Sequence, residues 1–322
     1  MKRRLLFALM LAAFAPAFTP AIASAAAPVT ATGAAPAANR FAATIVPAET
    51  FEVGAMLVER HGAKGRPLIL IPGLASGAWA WQETLRQFAT EHVIYVVTLP
   101  GFDGRAAPAT DSRAMEAAQQ ALVQLIDSRK LAHPVLVGHS LGGTLSYALA
   151  AQLGARIGGV LAIDGLPVFP GTEDLPLEQR AAMAQQIAAR NKAPTAAIFA
   201  AQQQQYMRGI GVSDMARADE LAKLSGKSDP GAVMQYMSET LALDLRPLLP
   251  KISAPVLVLT PYFGDDDQQN QTSQADKVAY YKALLDGVPK LEVAPVAPAR
   301  HFAMFDQPQQ VNDALRRFLK SL

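Results

Sequence analysis

One short stretch carries most of the chemistry in this chain. Gly138-His139-Ser140-Leu141-Gly142, followed by Gly143, fits the pattern G-x-S-x-G. Five positions recur by chance, so context decides what they mean. Here the motif joins an apolar run, Pro134 to Val137, read as a strand, to Leu141–Leu153, read as a helix. So tight a strand-to-helix turn forces strained dihedrals on Ser140, and the flanking glycines remove side chains that would clash. The hydroxyl is then held out at the carboxyl end of a sheet, beside a helix N-terminus. Ser140 is therefore a candidate nucleophile, and it needs a base to take its proton.

The chain has five histidines, His61, His92, His133, His139 and His301. His301 is the candidate base. It lies in Pro298-Ala299-Arg300-His301-Phe302, after the last expected strand and before a closing helix. His139 precedes the serine, so its side chain is expected to point elsewhere. His61 and His92 flank early strands and are expected at the surface. His133 abuts the start of its strand, at the opposite end of the sheet from Ser140. No HxH or HExxH spacing occurs and there is no cysteine, which excludes thiol catalysis, disulfides and cysteine zinc sites and argues against a histidine-rich one. No cofactor and no metal is expected.

These residues need elements to position them. Val53–Arg60, Pro67–Ile71, Val93–Leu99, Pro134–Val137, Ile157–Ile163, Pro255–Thr260 and Lys290–Pro295 read as strands. Between them lie a helix through Trp81, Leu85 and Phe88, an amphipathic helix Ser112–Lys130, and helices Leu141–Leu153 and Ala275–Leu285; Gln307–Leu322 closes the chain. Ala118, Leu122, Leu125 and Ile126 share one face of the second. Strands alternating with helices mean parallel βαβ units, so the fold class is α/β with a mostly parallel central sheet and flanking helices. One stretch breaks the alternation. From about Val168 to Pro247 only helical candidates occur, Leu177–Arg190, Pro194–Arg208, Ala216–Lys223 and Gly231–Leu243, together with Met183, Met207, Met215, Met234 and Met237. This insertion reads as a helical cap whose methionines build its own core, and some of them line a cleft beneath it.

Strand-Gly138-His139-Ser140-Leu141-Gly142-Gly143-helix resembles the α/β-hydrolase superfamily. So do Pro72-Gly73-Leu74 with Ser76 and Trp79 behind it, the Leu99-Pro100-Gly101-Phe102 turn, and Arg300-His301-Phe302 followed by Asp306-Gln307-Pro308. The resemblance spans about Thr50 to Leu322 and is nearest to exported bacterial serine hydrolases with a helical cap. It implies an oxyanion hole made by the backbone N–H groups of Leu141 and Leu74, with Pro72-Gly73 in place of the usual His-Gly pair. It also implies a carboxylate that orients His301. Most of the superfamily carries that acid after the penultimate strand, which here offers Asp265, Asp266 and Asp267. That run, Gly264 to Gln271, is so polar that it reads as a solvated loop. The other candidate is Asp164, 24 residues after Ser140 at the end of Ile157–Ile163 and followed by a short Gly165-Leu166-Pro167 turn. A triad acid must hold its partner closely, and a buried strand does this better than a polar loop. Asp164 is the preferred acid and Asp265 the alternative.

Composition limits the remaining options. Of 322 residues 51% are hydrophobic and 17% charged, enough for a sizeable core and too apolar for wholesale disorder. Lys and Arg total 29 against 27 Asp and Glu; without Lys2, Arg3 and Arg4 the count is 26 against 27, so no basic surface calls for nucleic acid. Those three cations, the apolar run Leu5–Ala15 and Ala23-Ser24-Ala25 read as a signal peptide over residues 1–25, cleaved before Ala26. Pro16 and Pro20 stop the run short of a membrane span. Residues 26–43 read as a flexible linker and 44–322 as the hydrolase domain, with the cap at about 168–247; the mature protein is expected in the periplasm or medium. The expected activity is acyl transfer to water, a carboxylesterase acting on a small or hydrophobic acyl substrate. An amidase or aminopeptidase, a lactonase, a C–C hydrolase or a perhydrolase would use the same residues, and a silent binding protein would keep the fold alone. For an aminopeptidase, Glu173, Asp174 and Glu178 are the cap acids that a substrate ammonium would meet.

Overall fold

The computed structural model describes residues 45–108, 113–190 and 193–322, with no account of the side chains of residues 187–190. The expected signal peptide and linker lie outside these residues, as does Ser112 at the start of the amphipathic helix. Eight strands form one sheet: β1 Glu49–Val53, β2 Met56–His61, β3 Leu68–Ile71, β4 Ile94–Thr98, β5 Val135–His139, β6 Gly159–Ile163, β7 Val256–Pro261 and β8 Leu291–Val296. Their order is β1-β2-β4-β3-β5-β6-β7-β8. β1 and β2 pair antiparallel with each other, β2 pairs antiparallel with β4, and every other pairing is parallel. The run expected as a single strand over Val53–Arg60 thus holds the end of β1, the turn and most of β2 of a hairpin that begins at Glu49. Gly54, with φ +59°, turns the chain after Val53, a reversal that alternating polarity alone does not announce.

Period-two alternation sorts each central strand into two cores. On one face Ile69, Val97, Leu136, Val160 and Val258 pack with Leu122, Leu125 and Ile126 of α2 (Ala114–Ser128) and with Leu145 and Leu149 of α3 (Leu141–Leu153). On the other, Leu70, Val96, Val137, Leu161 and Leu259 meet Leu85 and Phe88 of α1 (Gln82–Phe88) and Val311, Leu315 and Phe318 of the closing helix Pro308–Ser321. The four apolar positions assigned to one face of α2 are all buried. His61 is buried at 2% exposure, with Nε2 3.3 Å from Glu59, so the expectation that it lies at the surface is corrected: it ends β2 with its side chain turned inward.

The strand order also says where a ligand goes. The chain leaves β3 for β4 on one side and returns to β5 on the other, so the connections part between β3 and β5. Crevices in open α/β sheets form outside the carboxyl ends of strands at such switch points. Between β6 and β7 the sequence runs through α4 (Leu177–Arg190), α5 (Ala196–Tyr206), a π-turn Met207–Gly211, α6 (Met215–Ser225) and α7 (Pro230–Ala242). The expected helices are present; among the described residues the only pairing there is an isolated bridge from Val168 to Asp244. Thr195, Asp214 and Asp229 cap the starts of α5, α6 and α7. Met183 and Met237 pack on Phe169 and Leu241, a small core of the insertion itself. The polar run after β7, expected as a solvated loop, is instead a short helix, α8 (Gly264–Gln269), followed by α9 (Gln274–Leu284). Asp267 accepts from the Phe263 N–H at 2.9 Å and closes its first turn, which offsets a composition that otherwise favours water.

Helix α3 begins hard against the end of β3. A Cβ on Gly142 would stand 2.1 Å from the Ile71 carbonyl oxygen and 2.8 Å from that of Pro72, and neither backbone atom can yield without moving β3. Gly142→Ala should therefore cost about 2 kcal/mol or more of stability. Urea unfolding followed by circular dichroism measures it; an unchanged midpoint would mean that the approach of α3 to β3 is looser than described.

Candidate active site

Ser140 stands between β5 and α3 with φ +52° and ψ −117°. A side chain held there costs on the order of 1–3 kcal/mol and persists only where neighbours dictate it. The Ser140 N–H donates to the Ile163 carbonyl at 2.9 Å, and its own carbonyl accepts from the Gly143 N–H at 2.8 Å. Asp164, one residue past β6, also sits at positive φ, +51°, with its N–H bonded to the Leu259 carbonyl at 2.9 Å. The sheet thus sets both residues on adjacent strands. Helix α3 fixes the turn that carries the acid: Thr144 donates to the Leu166 carbonyl at 2.8 Å and the Tyr147 hydroxyl to that of Gly165 at 3.2 Å.

His301 comes from the loop after β8. Its Nδ1 lies 2.5 Å from Asp164 Oδ2, and both side chains are largely buried. The other Asp164 oxygen accepts a hydrogen bond from the Tyr281 hydroxyl on α9. Burial by itself pushes the Asp164 carboxyl up, but the His301 ring, the Lys277 ammonium and the Tyr281 hydroxyl outweigh it and hold the carboxyl below its ordinary range. Tyr281 in turn is driven well above the ordinary tyrosine value by burial and by the Asp164 charge, so it stays a donor. Asp265 is exposed, and its two neighbours are engaged elsewhere. Asp266 forms a bidentate pair with Arg300 at 2.7 and 2.9 Å, and Asp267 pairs with Lys277 at 3.2 Å. The place beside His301 that Asp265 was the alternative to fill is taken by Asp164.

Ser140, Asp164 and His301 all line one cavity of about 500 Å³. Leu74 and Leu141 line it as well, and neither amide has a backbone partner among the described residues of the surrounding turns. Leu141 opens α3, where an N–H has no intrahelical acceptor. The Leu74 loop lies directly against Ser140: a Cβ on Gly73 would sit 2.7 Å from His139 Nδ1 and 3.2 Å from Ser140 Cβ, so a side chain there would lift the loop. Leu166, Val168, Phe169, Ile210, Met237 and Leu243 make up the apolar part of the lining, and Asp266, Asp267, Asn270, Thr272 and Lys277 the polar part. Of the three cap acids expected to meet an ammonium, only Glu173 lines the cavity, buried, with Oε1 accepting from the Tyr280 hydroxyl. Asp174 and Glu178 are exposed.

His139 does not point away from the site. Its ring packs 4.7 Å from the His301 ring and 4.4 Å from that of Phe302, and Nε2 lies 3.0 Å from the His301 carbonyl oxygen. A carbonyl only accepts, so Nε2 carries the proton. Nδ1 is buried with no partner among the described residues, and protonating it would add an unpaired charge there. Burial accordingly lowers the His139 value to about 3. The consequence for stability has a definite sign. His139 is neutral when folded and takes up a proton when unfolded, so stability is complete above the unfolded histidine value and falls as pH drops. The slope is about 1.4 kcal/mol per pH unit below pH ~6.5. Between about pH 6 and pH 4.5, above most carboxylate titration, His139→Gln should remove this slope in urea unfolding midpoints. An undiminished slope would show that His139 is not the proton acceptor.

Comparison with known proteins places this architecture. The model of the Alpha/beta hydrolase family matches residues 68–314. A 2-succinyl-6-hydroxy-2,4-cyclohexadiene-1-carboxylate synthase of Escherichia coli strain 55989 is 30% identical over 223 residues, 68% of this chain and 85% of that protein. Among solved structures, a thermophilic esterase from Thermogutta terrifontis superposes with TM-score 0.64 at 21% identity, covering 85% of this chain and 99% of that one. The enol-lactonase from Burkholderia xenovorans LB400 superposes with TM-score 0.65 at 18% identity, covering 84% and 100%. At these identities the structural likenesses speak for the fold. The family match spans β3 to β8 with Ser140, Asp164 and His301, and the chain belongs to the alpha/beta hydrolase family.

Proposed function

We propose that this protein is a serine hydrolase that cleaves carboxylic esters through an acyl-enzyme on Ser140. The observation that carries the reading is the 2.5 Å contact of His301 Nδ1 with Asp164 Oδ2, within the cavity that Ser140 also lines. A carboxylate accepts, so Nδ1 carries the proton and Nε2 is left bare, the tautomer that can take a proton from serine. Ser140 Oγ attacks the carbonyl carbon as its proton passes to His301 Nε2. The oxyanion that forms meets the Leu74 and Leu141 amides, each such donor worth about 100–1,000-fold in rate. The imidazolium then protonates the leaving alcohol. Water attacks the acyl-Ser140 by the same route in reverse and releases the acid. Asp164, held below its ordinary range, stays ionised to stabilise the imidazolium.

The apolar lining with Leu166, Phe169 and Met237 suits a hydrophobic acyl group. One observation favours a second reading, an amidase or aminopeptidase: Glu173 lies buried in the cavity with Tyr280 on one oxygen, a place where a substrate ammonium would be bonded. The relatives add an enol-lactonase and a 2-succinyl-6-hydroxy-2,4-cyclohexadiene-1-carboxylate synthase to the options. All of these use Ser140, His301 and Asp164 alike, so the substrate and not the site separates them.

A panel of p-nitrophenyl esters and p-nitroanilides of increasing acyl length, with and without a free amine, is the direct test. Esters of apolar acids should be hydrolysed best. Ser140→Ala should lower kcat by more than about a thousandfold and abolish fluorophosphonate labelling. Asp164→Asn should lower kcat by orders of magnitude, while Asp265→Asn should cost less than about tenfold. Rapid hydrolysis only of the amine-bearing anilides would favour the aminopeptidase reading, and a Ser140→Ala variant retaining more than about a thousandth of kcat would contradict covalent catalysis.

A further inference from the structure

The backbone of His301 is held from both sides. Its carbonyl takes the proton of His139 from below. From above, the His301 N–H donates to the Ile210 carbonyl at 3.1 Å and the Phe302 N–H to the Gly211 carbonyl at 2.9 Å. Ile210 and Gly211 belong to the π-turn Met207–Gly211 that ends α5 in the insertion. That turn closes with the Val212 N–H on the Met207 carbonyl at 3.1 Å. Such turns carry one residue more than an α-helix and recur where function needs a backbone group re-aimed. Here the re-aimed groups are the two carbonyls that hold the histidine loop.

Arg300, the residue before His301, adds a second tie. Its Nη1 donates to the Arg208 carbonyl within the same turn at 2.8 Å and to the carbonyl of Val212, the residue just past it, at 3.2 Å. Its Nε and Nη2 form the bidentate pair with Asp266. A planar fork is what lets one side chain serve a carboxylate and two carbonyls at once, which lysine cannot do. Asp306 makes a third tie, taking the Arg300 N–H at 2.8 Å and the Ser213 N–H at 3.0 Å. Tyr206 and Ile210, on the insertion side of these ties, line the cavity with Ser140.

We infer that Arg300, gripped by Asp266, and the π-turn Met207–Gly211 are positioning elements for His301, so that the insertion sets the place of the base as well as one wall of the cavity. This rests on the reading of Ser140 and His301 given above and deepens it. Arg300 and Asp266 do not touch the reacting atoms; they act through the loop that carries His301. A substrate that presses on Tyr206 and Ile210 bears on the turn that holds the base. Filling that wall should therefore raise kcat and not only lower KM.

The test uses the full enzyme and an ester that the wild type turns over, with active sites counted by fluorophosphonate titration. Arg300→Lys and Asp266→Asn should each lower kcat about tenfold while KM stays within about twofold, since misplacement of a reacting group by an ångström costs up to about 100-fold. The double variant should be little worse than the worse single, because both break one tie. Deletion of Gly209, which shortens the π-turn to an α-turn, should lower kcat about 100-fold. Singles with kcat within about twofold of wild type would overturn the inference, whatever they do to the melting temperature, and so would effects that simply multiply in the double. The Asp266 side chain is 38% exposed, so Asp266→Asn is expected to fold and decides the matter if the other variants do not. An inactive wild type, or activity that survives Ser140→Ala, would instead strike at the serine hydrolase reading.

Discussion

A single hydrogen bond spans 137 residues, from His301 Nδ1 to Asp164 Oδ2, and much of the architecture exists to make it. Ser140 and Asp164 need no special device, because β5 and β6 are neighbours and each residue simply ends its strand. His301 follows β8, which lies two strands from β6 across β7. At about 4.8 Å per strand the histidine loop must reach back about 10 Å over the end of β7. The chain after β7 supports that crossing: the Tyr262 N–H bonds to the Val296 carbonyl, and the Tyr262 carbonyl accepts from the Ala299 N–H at 2.8 Å. The rest of the loop is pinned by His139 beneath and by the π-turn above.

Burying the pair is costly unless it is fully satisfied. Asp164 meets that condition with His301 on one oxygen and Tyr281 on the other, and Lys277 adds a favourable field. The neighbouring imidazole stays uncharged, so no second cation stands against the His301 ring. Burial of His139 with an unpartnered Nδ1 does this. Two histidines in ring contact thus differ by what surrounds them: one faces a carboxylate, the other a carbonyl. The strain at Ser140 and at Asp164, both at positive φ, is sustained by a rigid buried sheet whose central strands are covered on both faces.

The sheet and its flanking helices were legible because their signals are local. Continuous apolar runs marked β3 to β7, and the 3.6-residue period of α2 placed Leu122 and Ile126 on the buried face. Ser140 was legible from a turn whose geometry demands glycine, and His301 from its place after the last strand. What stayed hidden depends on distance in three dimensions. The hairpin of β1 and β2 rests on one glycine at positive φ. The Gly264–Gln269 helix rests on an acid that folds back on its own first turn, against a composition that reads as loop. Nothing in the tyrosine pair at 280 and 281 marks one hydroxyl for Asp164 and the other for Glu173. That His139 turns toward the site was hidden because the carbonyl it bonds lies 162 residues away. The acids after β7 were visible as a cluster, but that Asp266 grips Arg300 could be seen only once the loops were folded together.

The proton on His301 Nδ1 is the most direct witness to the central bond. In a short N–H···O⁻ contact it exchanges slowly and resonates far downfield of the amide envelope in proton NMR. The wild-type protein should show this resonance at neutral pH. Asp164→Asn should abolish it, and Asp265→Asn should leave it in place. Its survival in Asp164→Asn, or its loss in Asp265→Asn, would contradict the assignment of Asp164 as the partner of His301.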